Sequence, residues 1–265
     1  MGTALVTGAS SGLGEEFCWQ LAAAGHDLVL VARRADALRA LADRLHWVAG
    51  ARTEVLPADL SQREDVERVA RRLDVQPSDG SGLRPVGLLV NNAGFGLGAP
   101  FLEDTVAREE EALDVMVRAV MVLSHRAGRA MLGRGRGAIL NVGSIAADTG
   151  MGTYSAHKAW VRAFTEGLAS ELSRERRRTG ARVTATVVAP GLTHTHFHEA
   201  SGQDVTAAPE WIWSTPEQVV DAALEAVRHG RVLVTPTARY QAAGAAARLA
   251  PRWVVRGIVQ RLPHT

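Results

Sequence analysis

"TALVTGASSGLG", residues 3–14, decides the fold. A short apolar, β-branched run gives way at Gly8 to glycines and serines, and helical spacing begins at Leu13. Glycine at positions 8, 12 and 14 permits a tight turn and lets backbone N–H groups at a helix start approach a pyrophosphate. A glycine pattern between a strand and a helix points to dinucleotide binding, whereas the same glycines elsewhere would say little.

The same rhythm continues along the chain. "DLVLVA" precedes a helical stretch at 35–48, "TEVLPA" one at 63–73, and "VGLLVNNAG" a long one at 105–131. "GAILNVGS", a helix at 153–176, "RVTATVVAPG", a helix at 216–228 and "RVLVTP" complete the series. Such alternation predicts an α/β fold with a doubly wound, mostly parallel sheet of seven strands and helices on both faces. The turn-rich stretch "VQPSDGSGLRP" at 75–85 is longer than the connection needs and reads as a surface insertion. No linker divides the 265 residues, so one domain over 1–265 is expected.

Composition narrows the function. The net charge of +2 does not suggest nucleic-acid binding, and the basic run "SRERRRTG" at 173–180 falls where a helix end favours cations. No apolar run approaches the roughly eighteen residues of a membrane span. The opening strand leaves no room for a secretory leader, so the mature chain is expected to begin at its own methionine. The single cysteine, Cys18, lies on an apolar helical face and reads as core in a cytoplasmic protein.

The second strand ends in "VARR" at 31–34, where NAD-binding folds place a carboxylate on the adenosine ribose. Here Ala32 removes the acid, and Arg33 with Arg34 offers guanidinium donors for a 2′-phosphate. NADP(H) is therefore expected in preference to NAD(H). Farther on, "TYSAHKAW" at 153–160 holds one of two tyrosines and the chain's single lysine, Lys158. Tyr154 and Lys158 stand one helical turn apart on one face, and a nearby ammonium favours a phenolate. Lysine, unlike arginine, also offers a compact three-donor head.

Together these segments resemble the short-chain dehydrogenase/reductase family: "TGASSGLG", "NNAG" at 91–94, Ser144 after the fifth strand, "YSAHK", and "PGLTHT" at 190–195, in the family's order. The resemblance implies a Rossmann-type fold in which Tyr154 protonates a substrate carbonyl, Lys158 lowers its pKa and binds the nicotinamide ribose, and Ser144 orients the carbonyl. It implies a cofactor loop made of Gly8, Ser10, Ser11, Gly12, Leu13 and Gly14. Asp59 and Leu60 would flank the adenine, and Asn91, Ala93 and Gly94 would line the cleft. Pro190 and Gly191 would border the cofactor, with Thr193 and Thr195 holding the nicotinamide amide. No metal is implied.

Two departures stand out. Family members usually carry an asparagine in the helix after "NNAG", where this chain has Met116, which has no amide to relay a proton. The loop "AADTGMG" between Ser144 and Tyr154 is also short. The expected activity is an NADPH-dependent reduction of a small to medium apolar ketone, or the reverse oxidation; the alternative is a catalytically weakened NADP(H)-binding regulatory or scaffold protein. A segment at about 192–215 carries His194, His196, His198, Phe197, Trp211 and Trp213 and reads as a substrate lid or as packing against the core. The amphipathic C-terminal stretch at about 236–265 can pack on its own domain, on a second subunit or on a membrane surface. A homodimer or homotetramer is expected.

Overall fold

The strands are apolar at nearly every position because both faces of the sheet are covered, which is the usual condition of parallel strands. All five residues of β1 (Thr3–Thr7) are buried. The computed structural model describes residues 2–77, 80–195, 209–251 and 257. Beside β1 run β2 (Asp27–Ala32), β3 (Thr53–Pro57), β4 (Val86–Asn91), β5 (Arg136–Val142), β6 (Arg182–Val188) and the short β7 (Leu233–Val234). They form one seven-stranded sheet in the order β3-β2-β1-β4-β5-β6-β7. Every pairing is parallel.

Side chains alternate between two cores. Ala4, Val6, Leu28 and Leu30 face a core closed by Phe17 and Leu21 of α1 (Gly12–Ala23), Leu41 and Leu45 of α2 (Ala35–Ala49), and Val220 and Leu224 of α7 (Pro216–Arg228). Leu5, Val29 and Val31 face the opposite core, closed by Val66 and Val69 of α3 (Arg63–Leu73), Leu123 and Met131 of α5 (Ala119–Gly133), and Leu172 of α6 (Gly152–Thr179). This is the doubly wound Rossmann-type arrangement. The order of strands switches sides at β1, whose neighbours are β2 and β4, and in sheets of this kind the carboxyl ends of the strands at such a point border the ligand crevice.

Two elements depart from simple periodicity. The expected helix at 105–131 is α4 (Val106–Leu113) joined to α5 through a π-helical turn, Asp114–Arg118, in which Ala119 N–H bonds to Asp114 O. Met116 sits in that turn and is almost wholly buried. The last strand is two residues long, because Thr235 and Pro236 follow and proline has no N–H to extend an edge. The final described helix, α8, spans Ala238–Leu249. Residues 252–256 and 258–265, which carry most of the amphipathic C-terminal pattern, lie outside the described residues. Among the described residues no helix is long and apolar enough to cross a membrane.

Beneath the crevice lies a buried polar ladder. Asn91 and Asn141 are partners in the β4–β5 register, and Asn91 Nδ2 donates to Asn141 Oδ1 (2.9 Å) and to Ser124 Oγ on α5 (3.1 Å). Asn141 Nδ2 donates to Thr165 Oγ1 on α6 (2.8 Å), which in turn donates to Val161 O. Four side chains thus satisfy one another where water does not reach, joining two strands to two helices. Asn141→Ala strands the partners on either side and should destabilise the fold by about 2–3 kcal/mol in urea unfolding; a change below about 0.5 kcal/mol would show that the ladder carries little.

Candidate active site

The glycine loop is built by close packing. Gly8 has φ +67°, and a Cβ there would lie 2.8 Å from Asn92 Nδ2. A Cβ at Gly14 would come within 2.0 Å of Gly8 O, so neither position admits another residue without the loop moving. Asn92 and Thr7 hold this loop to the end of β4. Thr7 Oγ1 accepts from the N–H groups of Asn92 (3.0 Å) and Ala93 (3.1 Å) and donates to Val90 O, while Asn92 Nδ2 donates to Thr7 O (3.0 Å). Neither residue was among those expected to build the site. The available signals were the threonine directly before the first glycine and the second asparagine of "NNAG".

Ser11 is the N-cap of α1 and is extended, yet its side chain makes no capping bond, and it is exposed beside the half-buried Ser10 and Leu13. The first-turn N–H groups and the positive end of the helix dipole therefore face the crevice without a side-chain carboxylate or hydroxyl capping them, which suits a pyrophosphate. Arg33 and Arg34 are both exposed at the end of β2. Arg34 Nη2 donates to Ser10 O (3.3 Å), which places its guanidinium over the loop, and Arg33 pairs at 3.4 Å with Glu111 of α4. These donors fit a 2′-phosphate.

Three expected cleft residues have other commitments. Asn91 turns its amide into the ladder below the crevice, Leu60 packs in the second core, and the Asp59 carboxylate accepts from Ser61 N–H and Oγ. Of the three, only Asp59 holds a local turn, while Asn91 and Leu60 brace the interior. Ala93 and Gly94 remain half-buried on the cleft side. A Cβ on Gly94 would lie 3.4 Å from Met116 Sδ and 3.6 Å from Lys158 Nζ, so both side chains border Gly94.

Ser144, Tyr154 and Lys158 converge above β5. Ser144 caps a 3-10 turn (Ile145–Asp148), with its Oγ accepting from Ala146 N–H, and shares a hydrogen bond with the Tyr154 hydroxyl. The shortened loop therefore still brings serine and tyrosine together. Burial pushes the phenol up to about 12, while the bond to Ser144 acts in the opposite direction. Lys158 Nζ donates to Val142 O (2.9 Å) and stands 5.7 Å from the Tyr154 ring centre. Burial lowers its pKa to about 8. In the protein by itself desolvation dominates and keeps the phenol neutral, rather than the nearby ammonium depressing it as expected.

The "PGLTHT" segment closes the other side. Pro190 is buried, and its carbonyl accepts from Ile145 N–H (3.0 Å), next to Ser144. Thr193 is buried and donates to Gly191 O, and the Thr195 side chain lies 3.3 Å from where a Cβ on Gly12 would stand. His194 stacks on Trp213 (4.6 Å) and contacts Glu210 at 2.9 Å, while Trp211 is exposed. His196, Phe197 and His198 lie outside the described residues.

Comparison with known proteins agrees with this geometry. The model of the short chain dehydrogenase family matches residues 2–206. A very-long-chain 3-oxoacyl-CoA reductase of Podospora anserina is 37% identical over 64% of this chain, a match spanning half of that longer relative. A galactitol 2-dehydrogenase (L-tagatose-forming) of Cereibacter sphaeroides is 31% identical over 89% of both chains. A short-chain dehydrogenase of Sphingobium yanoikuyae, solved in complex with NADPH, is 31% identical, with a TM-score of 0.81 over 99% of this chain and 96% of its own.

The buried lysine predicts a pH dependence. Its folded-state value of about 8 lies below the unfolded value of about 10.4, so between them the unfolded chain binds the extra proton and stability rises with pH. Compared with Lys158→Met, the parent should gain up to about 1.4 kcal/mol per pH unit between pH 8 and 10 in denaturant unfolding. A difference independent of pH over that range would contradict a titrating, desolvated lysine.

Proposed function

The chain belongs to the short-chain dehydrogenase family, and from that premise we propose that it is an NADP(H)-dependent carbonyl reductase, or the reverse alcohol dehydrogenase, for a small to medium apolar substrate. The observation that carries this reading is the junction of Ser144 and Tyr154 hydroxyls with Lys158 one turn along α6. When bound, the nicotinamide cofactor supplies the hydride. Negative charge then develops on the substrate oxygen, where the two hydroxyls can donate, and the neutral Tyr154 gives up its proton there. Lys158 stabilises the phenolate that results. The α1 amides and the guanidinium groups of Arg33 and Arg34 hold the phosphates.

A single domain is part of this reading. Exposed Val106, Leu113 and Met121 along α4 and α5 support a homodimer or homotetramer, and the buried free thiol of Cys18 supports a cytoplasmic setting. One observation favours the weakened regulatory alternative: Met116, which has no amide, borders Gly94, as Lys158 does. NADPH-dependent capture of a partner protein, with no turnover across a broad carbonyl panel, would favour it.

Tyr154→Phe should abolish turnover while leaving the NADPH dissociation constant within about twofold, because only the proton donor is lost. Full activity in that variant would overturn the assignment. NADPH should bind at least about tenfold more tightly than NADH, since a charge-assisted phosphate contact contributes about 1.5–3 kcal/mol. Arg33→Ala with Arg34→Ala should remove most of that ratio, and salt should shrink it in the parent. Equal dissociation constants for the two cofactors at low salt would show that the arginines are merely solvated.

A further inference from the structure

The second tyrosine, Tyr240, belongs to none of the cofactor motifs, yet it is nearly buried. From α8 its hydroxyl donates to Ile212 O (2.7 Å) and accepts from Leu192 N–H (3.1 Å). Its ring fills the space above Gly191, where a Cβ would lie 2.0 Å from Cε2. The adjacent Arg239 Nη2 donates to Trp213 O (2.6 Å) and Ser214 Oγ (3.3 Å). The two segments gripped in this way also hold each other. Ser214 N–H donates to Leu192 O (2.9 Å), and His194 N–H donates to Ser214 O (3.1 Å).

One of these segments reaches both halves of the cleft. Pro190 O bonds to Ile145 beside Ser144, and Thr195 lies against Gly12 of the glycine loop. We propose that Tyr240, assisted by Arg239, is a positioning residue that fixes the 190–195 turn and so sets the distance between the cofactor loop and the Ser144–Tyr154 hydroxyls. The phenol is suited to the task because one group serves a donor on one segment and an acceptor on the other, a role that a neutral hydroxyl fills and that an aliphatic or phenyl group cannot. The proposal rests on the reductase reading for its effect on turnover, but not for its effect on the turn.

Tyr240→Phe keeps the ring over Gly191 and removes only the hydroxyl. We expect the Leu192 amide to exchange with solvent deuterium at least about tenfold faster. The NADPH dissociation constant should rise about three- to tenfold and kcat/KM should fall about tenfold, with the thermal midpoint within a few degrees of the parent. Arg239→Gln, which releases Trp213 and Ser214 but keeps the phenol, should weaken NADPH binding in the same direction and serves if Tyr240→Phe does not fold. Parental Leu192 exchange and NADPH affinity in Tyr240→Phe would overturn the proposal, as would lowered stability with unchanged affinity in both variants. If the parent reduces no carbonyl, the reductase reading fails, while the exchange and affinity measurements still decide the role of Tyr240.

Discussion

The Thr7 hydroxyl and the Asn92 amide together fasten the glycine loop to the end of β4. Thr7 Oγ1 accepts from two successive amides at the end of β4, and Asn92 returns a bond to the Thr7 carbonyl. This knot lies at the point where β1 has β2 on one side and β4 on the other, so the connections leave toward opposite faces and open the crevice. Because the loop is drawn so close to Asn92, positions 8 and 14 have no space for a Cβ, and the start of α1 is aimed across the strand ends. The proposed binding of a pyrophosphate at this helix start rests on that placement.

A second constraint is the burial of the polar side chains around the end of β5. Burial raises the Tyr154 phenol to about 12 and lowers the Lys158 ammonium to about 8, so at neutral pH the phenol is neutral and the lysine still mainly charged. The ammonium has a backbone carbonyl from β5, and below it the Asn91–Asn141–Thr165 ladder holds β4, β5 and α6 in register. The polar interior is thus a framework for the face of α6 that carries Tyr154 and Lys158.

Local chemistry made much of this legible in the sequence. Helix α7 starts at Pro216, as expected, because Thr215 and Gln218 form a reciprocal capping box and proline suits the first turn. Tyr154 and Lys158 share a face because helical spacing requires it. Contacts between distant residues were not legible. The Thr7–Asn92 knot joins positions 85 apart, and the Leu192–Tyr240 bond joins positions 48 apart. The π-helical turn at Met116 was hidden because its residues keep ordinary helical composition. Asn91 and Leu60 belong to recognisable motifs, but which way each side chain turns depends on partners in other strands and helices.

The proposed NADP(H) site lies along the carboxyl ends of β1 and β4, beside Ser144, Tyr154 and Lys158. A crystal structure of the protein grown with NADPH tests it most directly. The expected density places the pyrophosphate against the first-turn amides of α1, the 2′-phosphate between Arg33 and Arg34, and the nicotinamide end beside Tyr154 and Lys158. A dinucleotide bound away from this crevice, or with its adenosine phosphate remote from both arginines, would contradict it.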